Sequence, residues 1–285
     1  MSTRLIRLSQ AIEGFLLECK ARQLSRHTID DYSRTLRSFL QTTGDLPAKE
    51  IQSHHIVFYL AQYTELQPKS LLNKHIALSA LWTWLMRENY VQRHIVRQVP
   101  RPKPQKKAII PFTETEIRAL FSVVGRKYYR NRAILLLLLD TGIRASELIQ
   151  LTYDDIDLRA RRIRVMGKGN KERYIPVSPR TASALFRIVI RKDDSNHQRL
   201  FDITRLSLTH LLVYIGKKSG VKGVYPHRFR HTFAVYYLRN GGDPYTLQQI
   251  LGHSTMQMVS HYLQLAQVDI DDAHRRASPV DRFRL

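Results

Sequence analysis

Two arginines, three histidines and a tyrosine give this chain its chemical character. Arg144 stands in TGIRASELIQL, His227, Arg230 and His231 share PHRFRHTFA, His253 follows a glycine in LGHS, and Tyr262 comes nine residues later. His227 and Arg230, three apart, lie on one face of any helix that carries them, with His231 one position round. If the fold brings Arg144 and Arg230 together, they offer two guanidinium forks to the nonbridging oxygens of one phosphate, donors suited to charge that grows in a transition state. A phenol, with a reference pKa near ~10, needs positive neighbours or a base to become a nucleophile at neutral pH, and this cluster supplies both. The chemistry would be the breaking and rejoining of a phosphodiester. Taken singly, each arginine reads more readily as a surface or phosphate-backbone residue than as a catalytic one, and Tyr262 is one of 14 tyrosines.

Composition supports a polyanionic partner. Lys and Arg number 46 against 24 Asp and Glu, a net charge of +22 over 285 residues. That excess repels its own compact state unless a polyanion neutralises it, which favours nucleic acid over an acidic small molecule. The pair His227 and His231, four apart in HRFRH, has a metal-ligand spacing but lacks the glutamate of a zinc-hydrolase helix, and its intervening arginines would repel a cation. We therefore expect no metal and no cofactor, and read His231 as structural or as a DNA contact. Asp154, Asp155 and Asp157 read as turn caps. Cys19, the single cysteine, sits among Ile12, Phe15 and Leu16 and reads as buried and apolar. No signal-peptide pattern opens the chain, and its longest apolar run, Ala133 to Leu139, is too short to span a bilayer. The expected location is the cytoplasm, with the chromosome, and no membrane partner.

The apolar spacing predicts the elements that must position these residues. Helices over residues 10–40, Ile51 to Tyr63 and Leu71 to Met86 make a four-helix domain over 1–96. VPRPKPQKKAIIP then reads as a basic linker over 97–111, whose Arg101, Lys103 and Lys106 are candidate phosphate contacts. A second domain over 112–265 opens with a Thr113/Glu116 capping box. Its centre is the helix Ala133 to Asp140, closed by Gly142, which leaves Arg144 at a helix-to-helix turn. Ile163 and Val165, then Ile175 and Val177, alternate like a pair of short strands around GKGNKE, with Lys168 and Lys171 at the tip. Helices follow over Thr181 to Ile190, Thr204 to Ile215, His227 to Leu238, Tyr245 to Leu251 and Thr255 to Leu265, the last capped by Thr255. The fold class is mainly α with a small antiparallel sheet, which excludes a doubly wound nucleotide-binding fold. Residues 266–285 read as a tail.

TGIRASELIQL, GKGNKERYIPV, PHRFRHTFA and LGHSTMQMVSHYL, in that order, resemble the active-site boxes of the tyrosine recombinases, or phage-type integrases, and in particular their short members that resolve chromosome dimers. The likeness covers essentially the whole chain, since residues 1–96 resemble the helical, SAM-like core-binding domain of that family. It implies a DNA breaking-rejoining enzyme fold. By the resemblance, Arg144 and Arg230 hold the scissile phosphate and Lys168 protonates the leaving 5′ oxygen. His227 assists proton transfer from the nucleophile, and His253 bonds a phosphate oxygen. Tyr262 forms a covalent 3′-phosphotyrosyl link, and Glu147 orients an arginine or histidine. Arg228 and Phe229 depart from the usual pattern. We read the first as an added DNA contact, alongside Lys171, and the second as a core position.

The family logic implies transesterification without ATP or metal, on double-stranded DNA with inverted half-sites, by a homotetramer, with an accessory or paralogous recombinase as a further partner. With no arm-binding domain evident ahead of residue 10, a simple-site enzyme is expected. The competing readings are a type IB topoisomerase, a noncatalytic DNA-binding protein that would leave the ordered residues as coincidence, and a metal-dependent nuclease. The basic residues Arg26, His27, Lys69 and Lys74 could meet phosphate, but phosphate contacts position without reading sequence. The target sequence is not legible.

Overall fold

The computed structural model describes residues 5–63, 65–103, 109–125, 128–167, 172–191, 198–266, 274, 278 and 280. The chain divides into two compact units, 1–107 and 108–285.

The first unit holds four helices, α1 (Leu8–Ala21), α2 (Arg26–Thr43), α3 (Ser53–Ala61) and α4 (Pro68–Arg87). Each end has a local cause. Ser25 accepts a hydrogen bond from the Thr28 amide to cap α2, Gly44 closes that helix at φ +80°, and Pro68 opens α4, where its missing N–H costs nothing. The apolar faces of all four bury Leu8, Phe15, Leu36, Phe39, Tyr59 and Trp82 in one core with Cys19. A 3-10 turn over Ile95–Gln98 adds Val96, and Val99 follows it into the same core. The packed part of this unit therefore runs past residue 96.

The second unit opens with α5 (Glu114–Val123), whose Thr113 and Glu116 make the reciprocal capping pair. Then come α6 (Tyr129–Thr141) and the short α7 (Ala145–Gln150). A three-stranded antiparallel sheet follows, β1 (Ile156–Asp157), β2 (Arg162–Met166) and β3 (Glu172–Pro176), in the order β1-β2-β3. Ile163 pairs with Ile175 on its buried face. β1 is the strand that alternation did not reveal, because two residues are too few to show a period. Asp155 and Asp157 do cap this turn region, accepting from the Thr152 and Ala160 amides.

Five helices complete the unit: α8 (Pro179–Val189), α9 (Arg205–Ser219), α10 (Pro226–Arg239), α11 (Pro244–Leu251) and α12 (Gln257–Ala266). The main core centres on α6, where Ile134, Leu135, Leu137 and Leu138 are fully buried. α10 packs against α6, α11 and α12. A second cluster, with Ala234, Val235, Leu247, Leu251, Val259 and the ring of Tyr262, joins the last three helices. The first turn of α12 differs from expectation, since it begins at Gln257 and Thr255 contributes its carbonyl, to Met258, in the turn before it. Among the described residues no helix is long and apolar enough to cross a membrane.

Candidate active site

The site is assembled at helix ends. α6 and α11 each close on a glycine in the left-handed region, Gly142 at φ +59° and Gly252 at φ +62°, so their final carbonyls turn away from the helix and need outside donors. Arginines provide them. Arg230, on α10, donates to the Gly142 carbonyl at 2.8 Å and to the Leu251 carbonyl at 2.7 Å. Arg144, the residue preceding α7, donates to the Gly252 carbonyl at 3.1 Å. Arg173, on β3, donates to the Ile250 carbonyl at 2.9 Å. Three successive carbonyls at the end of α11 thus take hydrogen bonds from three arginines that lie far apart in sequence, at the negative end of the helix dipole.

One carboxylate ties two of these arginines together. Glu147 is 6 % exposed and accepts from Arg144 Nη1 at 2.8 Å and from the Arg144 backbone amide at 2.9 Å. Arg173 grips it with both terminal nitrogens, at 3.0 and 2.9 Å. Burial pushes the Glu147 pKa up, but the hydrogen bonds and charges of Arg173 and Arg144 outweigh it, and the net shift is down. It is ionised at neutral pH. Three guanidinium groups against one carboxylate leave the pocket positive, which suits a phosphate ester. Burial, then the charge of Arg144, lower Arg230 to about 10, so it still carries its charge at pH 7. Arg144 keeps its side chain 36 % open to solvent, whereas Arg230 is 2 % exposed.

Beside this cluster lies the phenol. Tyr262, on α12, is 4 % exposed, and its hydroxyl lies 2.9 Å from Nδ1 of His231. Its ring stacks on His253, centroids 6.2 Å apart at 14°. Burial raises the Tyr262 pKa against the opposing pull of Arg230 and Arg144. Positive neighbours alone therefore do not ionise this phenol; it needs a base. His253 is nearly buried, with Nδ1 unpartnered among the described residues. Burial, then Arg230 and Arg144, lower its pKa to about 4, and it is a neutral ring at pH 7. His227 stacks edge-on against His231, centroids 4.3 Å apart, on the exposed side.

The structure thus brings Arg144, Arg230, Glu147, His253 and Tyr262 to one place, with His227 at its edge through His231. Arg228 is a correction. Rather than facing solvent as a DNA contact, its side chain is 10 % exposed and paired with Glu116 at 2.9 Å. It donates to the carbonyls of Ile110 and Lys222 and lies 4.0 Å above the Phe112 ring. It fastens the start of the unit to α10. His231 is likewise placed on the tyrosine. Arg101 and Lys103 are exposed; Lys106, Lys168 and Lys171 lie outside the described residues. Arg173 was missed. Its signal was positional: it shares the inward face of β3 with Ile175, where an arginine must find a carboxylate.

Comparison with known proteins fits this geometry. A profile described as "Phage integrase family" matches residues 111–268, and one described as "Phage integrase, N-terminal SAM-like domain" matches residues 12–89. The chain belongs to the phage integrase family. Among relatives of this integrase-family chain, Tyrosine recombinase XerC of Staphylococcus saprophyticus is 31 % identical over 278 residues, covering 90 % of this chain and 93 % of the relative. XerC of Pelobacter propionicus is 29 % identical, covering 96 % and 97 %. The crystal structure of XerA recombinase superposes with a TM-score of 0.52 at 26 % identity, covering 95 % of this chain and 99 % of that one. A lambda integrase dimer bound to a COC′ core site shares the fold, with a TM-score of 0.75 at 18 % identity, covering 91 % of this chain and 77 % of that one.

Proposed function

We propose that the chain is a site-specific tyrosine recombinase that cuts and rejoins strands of two DNA duplexes through a phosphotyrosyl intermediate. The observation that carries the reading is the convergence of Tyr262, Arg230, Arg144 and His253 on one positive pocket, in a chain related to XerC along nearly its whole length. Arg144 and Arg230 would hold the nonbridging oxygens, already aimed by the carbonyls and carboxylate behind them, so little reorganisation accompanies the growth of charge. Tyr262 would attack phosphorus, Lys168 would protonate the leaving 5′ oxygen, and His253 and His227 would add hydrogen bonds to the phosphate. The phosphodiester energy is kept in the ester, so ATP is not needed, and fixed cations do the work of bound metal.

Each protomer cuts one strand, and exchange between two duplexes needs four cuts, which argues for a tetramer on inverted half-sites. A structural neighbour, XerH, is described bound to palindromic difH in a post-cleavage complex, and a palindrome suits protomers related by a two-fold axis. The site of action would be the nucleoid. Residues 266–285 would dock on a neighbouring protomer; unchanged assembly and exchange after their removal would refute this.

The test is incubation of the full chain with nicked suicide duplexes from its host replicon, in EDTA, followed by denaturing electrophoresis beside Tyr262→Phe. A covalent adduct absent from the variant is expected. Adduct formation that depends on added metal, or none on DNA bound specifically, would refute the reading.

A further inference from the structure

We infer that His231 is the base that takes the proton from Tyr262, an assignment that rests on the recombinase reading above and fills a role the sequence pattern gave to His227. The ring Nδ1 and the phenol oxygen are 2.9 Å apart, with ring centroids 5.6 Å apart at 51°. That is direct reach for a general base. The contact is held by core packing: His231 and Tyr262 sit on α10 and α12, whose apolar faces meet through Ala234, Val235 and Val259. Short side chains on two packed helices keep the pair in register.

Acceptance requires an unprotonated Nδ1, with the ring proton on Nε2. His231 is faced by His227 and Arg230 from its own helix and by Tyr262 from α12, with His253 behind the Tyr262 ring. Burial, then His227 and Arg230, lower its pKa to about 4, so the lone pair is available at neutral pH. A phosphate docked on the arginines would offset their charge and raise the basicity of the ring when the proton must move. In the step, the Tyr262 oxygen forms a bond to phosphorus as the bond from phosphorus to the 5′ oxygen breaks. The phenol proton passes to His231 Nδ1, and the leaving oxygen takes its proton from Lys168. In the reverse step an incoming 5′ hydroxyl attacks the ester and gives its proton to the now neutral Lys168, the bond from phosphorus to the Tyr262 oxygen breaks, and the imidazolium returns its proton to the departing phenolate. His227, on the exposed side, would then act on the phosphate rather than on the phenol.

The decisive experiment is single-turnover adduct formation on the suicide duplex between pH 4 and 9, a range that reaches the His231 pKa of about 4. His231→Asn keeps a polar atom near the Nδ1 position but cannot take a proton; His227→Asn is its comparison. We expect His231→Asn to slow adduct formation about 100-fold or more at pH 7 and to lose the acid limb of the profile, with DNA affinity unchanged. His227→Asn should keep that limb. A wild-type rate and profile in His231→Asn, or loss of the acid limb in His227→Asn instead, would overturn the assignment and leave the recombinase reading standing. No adduct with the wild-type chain on specifically bound DNA would overturn both. A second readout needs no turnover: in ring-¹⁵N-labelled full chain, Tyr262→Phe should shift the His231 Nδ1 resonance, and an unmoved resonance would refute the contact.

Discussion

At the scale of single residues, the same residue type does two opposite jobs, and burial with partners tells them apart. Arg144 turns part of its guanidinium to solvent and is available to a ligand; Arg228 is consumed by Glu116 and two carbonyls. Truncating Arg228 takes the ion pair from a partly exposed Glu116, which keeps its hydrogen bond from the Thr113 amide, a loss of about 1–3 kcal/mol for hydrogen bonds to a charged group. Arg228→Ala should therefore lower the denaturant midpoint strongly while leaving the salt dependence of DNA binding as it was; a salt slope reduced by about one would restore it as a phosphate contact. The neutral rings His231 and His253 make a second expectation. Both have folded pKa values of about 4 against an ordinary 6.5, so the unfolded chain binds protons that the native state refuses. Their contribution is fully present above pH 6.5 and is lost as pH falls toward 4, at about 1.4 kcal/mol per pH unit for each ring where the slope is steepest. Urea denaturation over that window should show the decline, and His253→Gln should flatten it; an unchanged slope in the variant would refute the buried neutral ring. Arg144, Arg230, His253 and Tyr262 were legible in the sequence because their order and types are distinctive. The contact from His231 to Tyr262 was not, because it joins two helices across 31 residues and no pattern on either helix encodes it.

Among the elements, the end of α11 organises the pocket. Its last carbonyls, from Ile250, Leu251 and Gly252, hold Arg173, Arg230 and Arg144 in turn, and the left-handed turn at Gly252 is what exposes them. A Cβ at Gly252 would lie 3.1–3.3 Å from the Arg173 guanidinium, besides carrying the strain of that conformation. Gly220 is a matched control: it closes α9 at φ +72° with nothing within 4 Å of a Cβ. Each Gly→Ala change should cost about 1–2 kcal/mol of stability from backbone strain. Only Gly252→Ala should also depress adduct formation, by shifting Arg173 and the Glu147 and Arg144 tied to it. Equal cleavage by the two variants would reduce the α11 end to an ordinary helix cap. The helices themselves were readable from apolar spacing, and Gly142 from its place after Asp140 and Thr141. What the elements do for the site was hidden, because the connections run through backbone carbonyls, and every residue has one.

For the whole molecule, charge governs the encounter with DNA. A net +22 was plain from composition, yet a count of charges carries no geometry, and the ion pairs show that part of it serves the fold. Arg173 and Arg228 are paired inside the second unit, and Arg7, Arg22 and Arg87 pair with Asp45 and Glu18 in the first. The remaining excess must be matched by phosphates that shed their counterions on binding, so affinity should fall steeply with salt. For about 6–10 neutralised phosphates the loss between 50 and 200 mM salt is roughly 10³- to 10⁵-fold. Titration of the full chain onto a labelled duplex over that range measures it. A slope corresponding to two or three phosphates would place most of the basic side chains away from the duplex and confine the protein's grip to the pocket of Arg144 and Arg230. A steep slope shared by cognate and random duplexes, with adduct confined to the cognate one, would assign binding to the charge of the whole chain and cleavage to the geometry of the site.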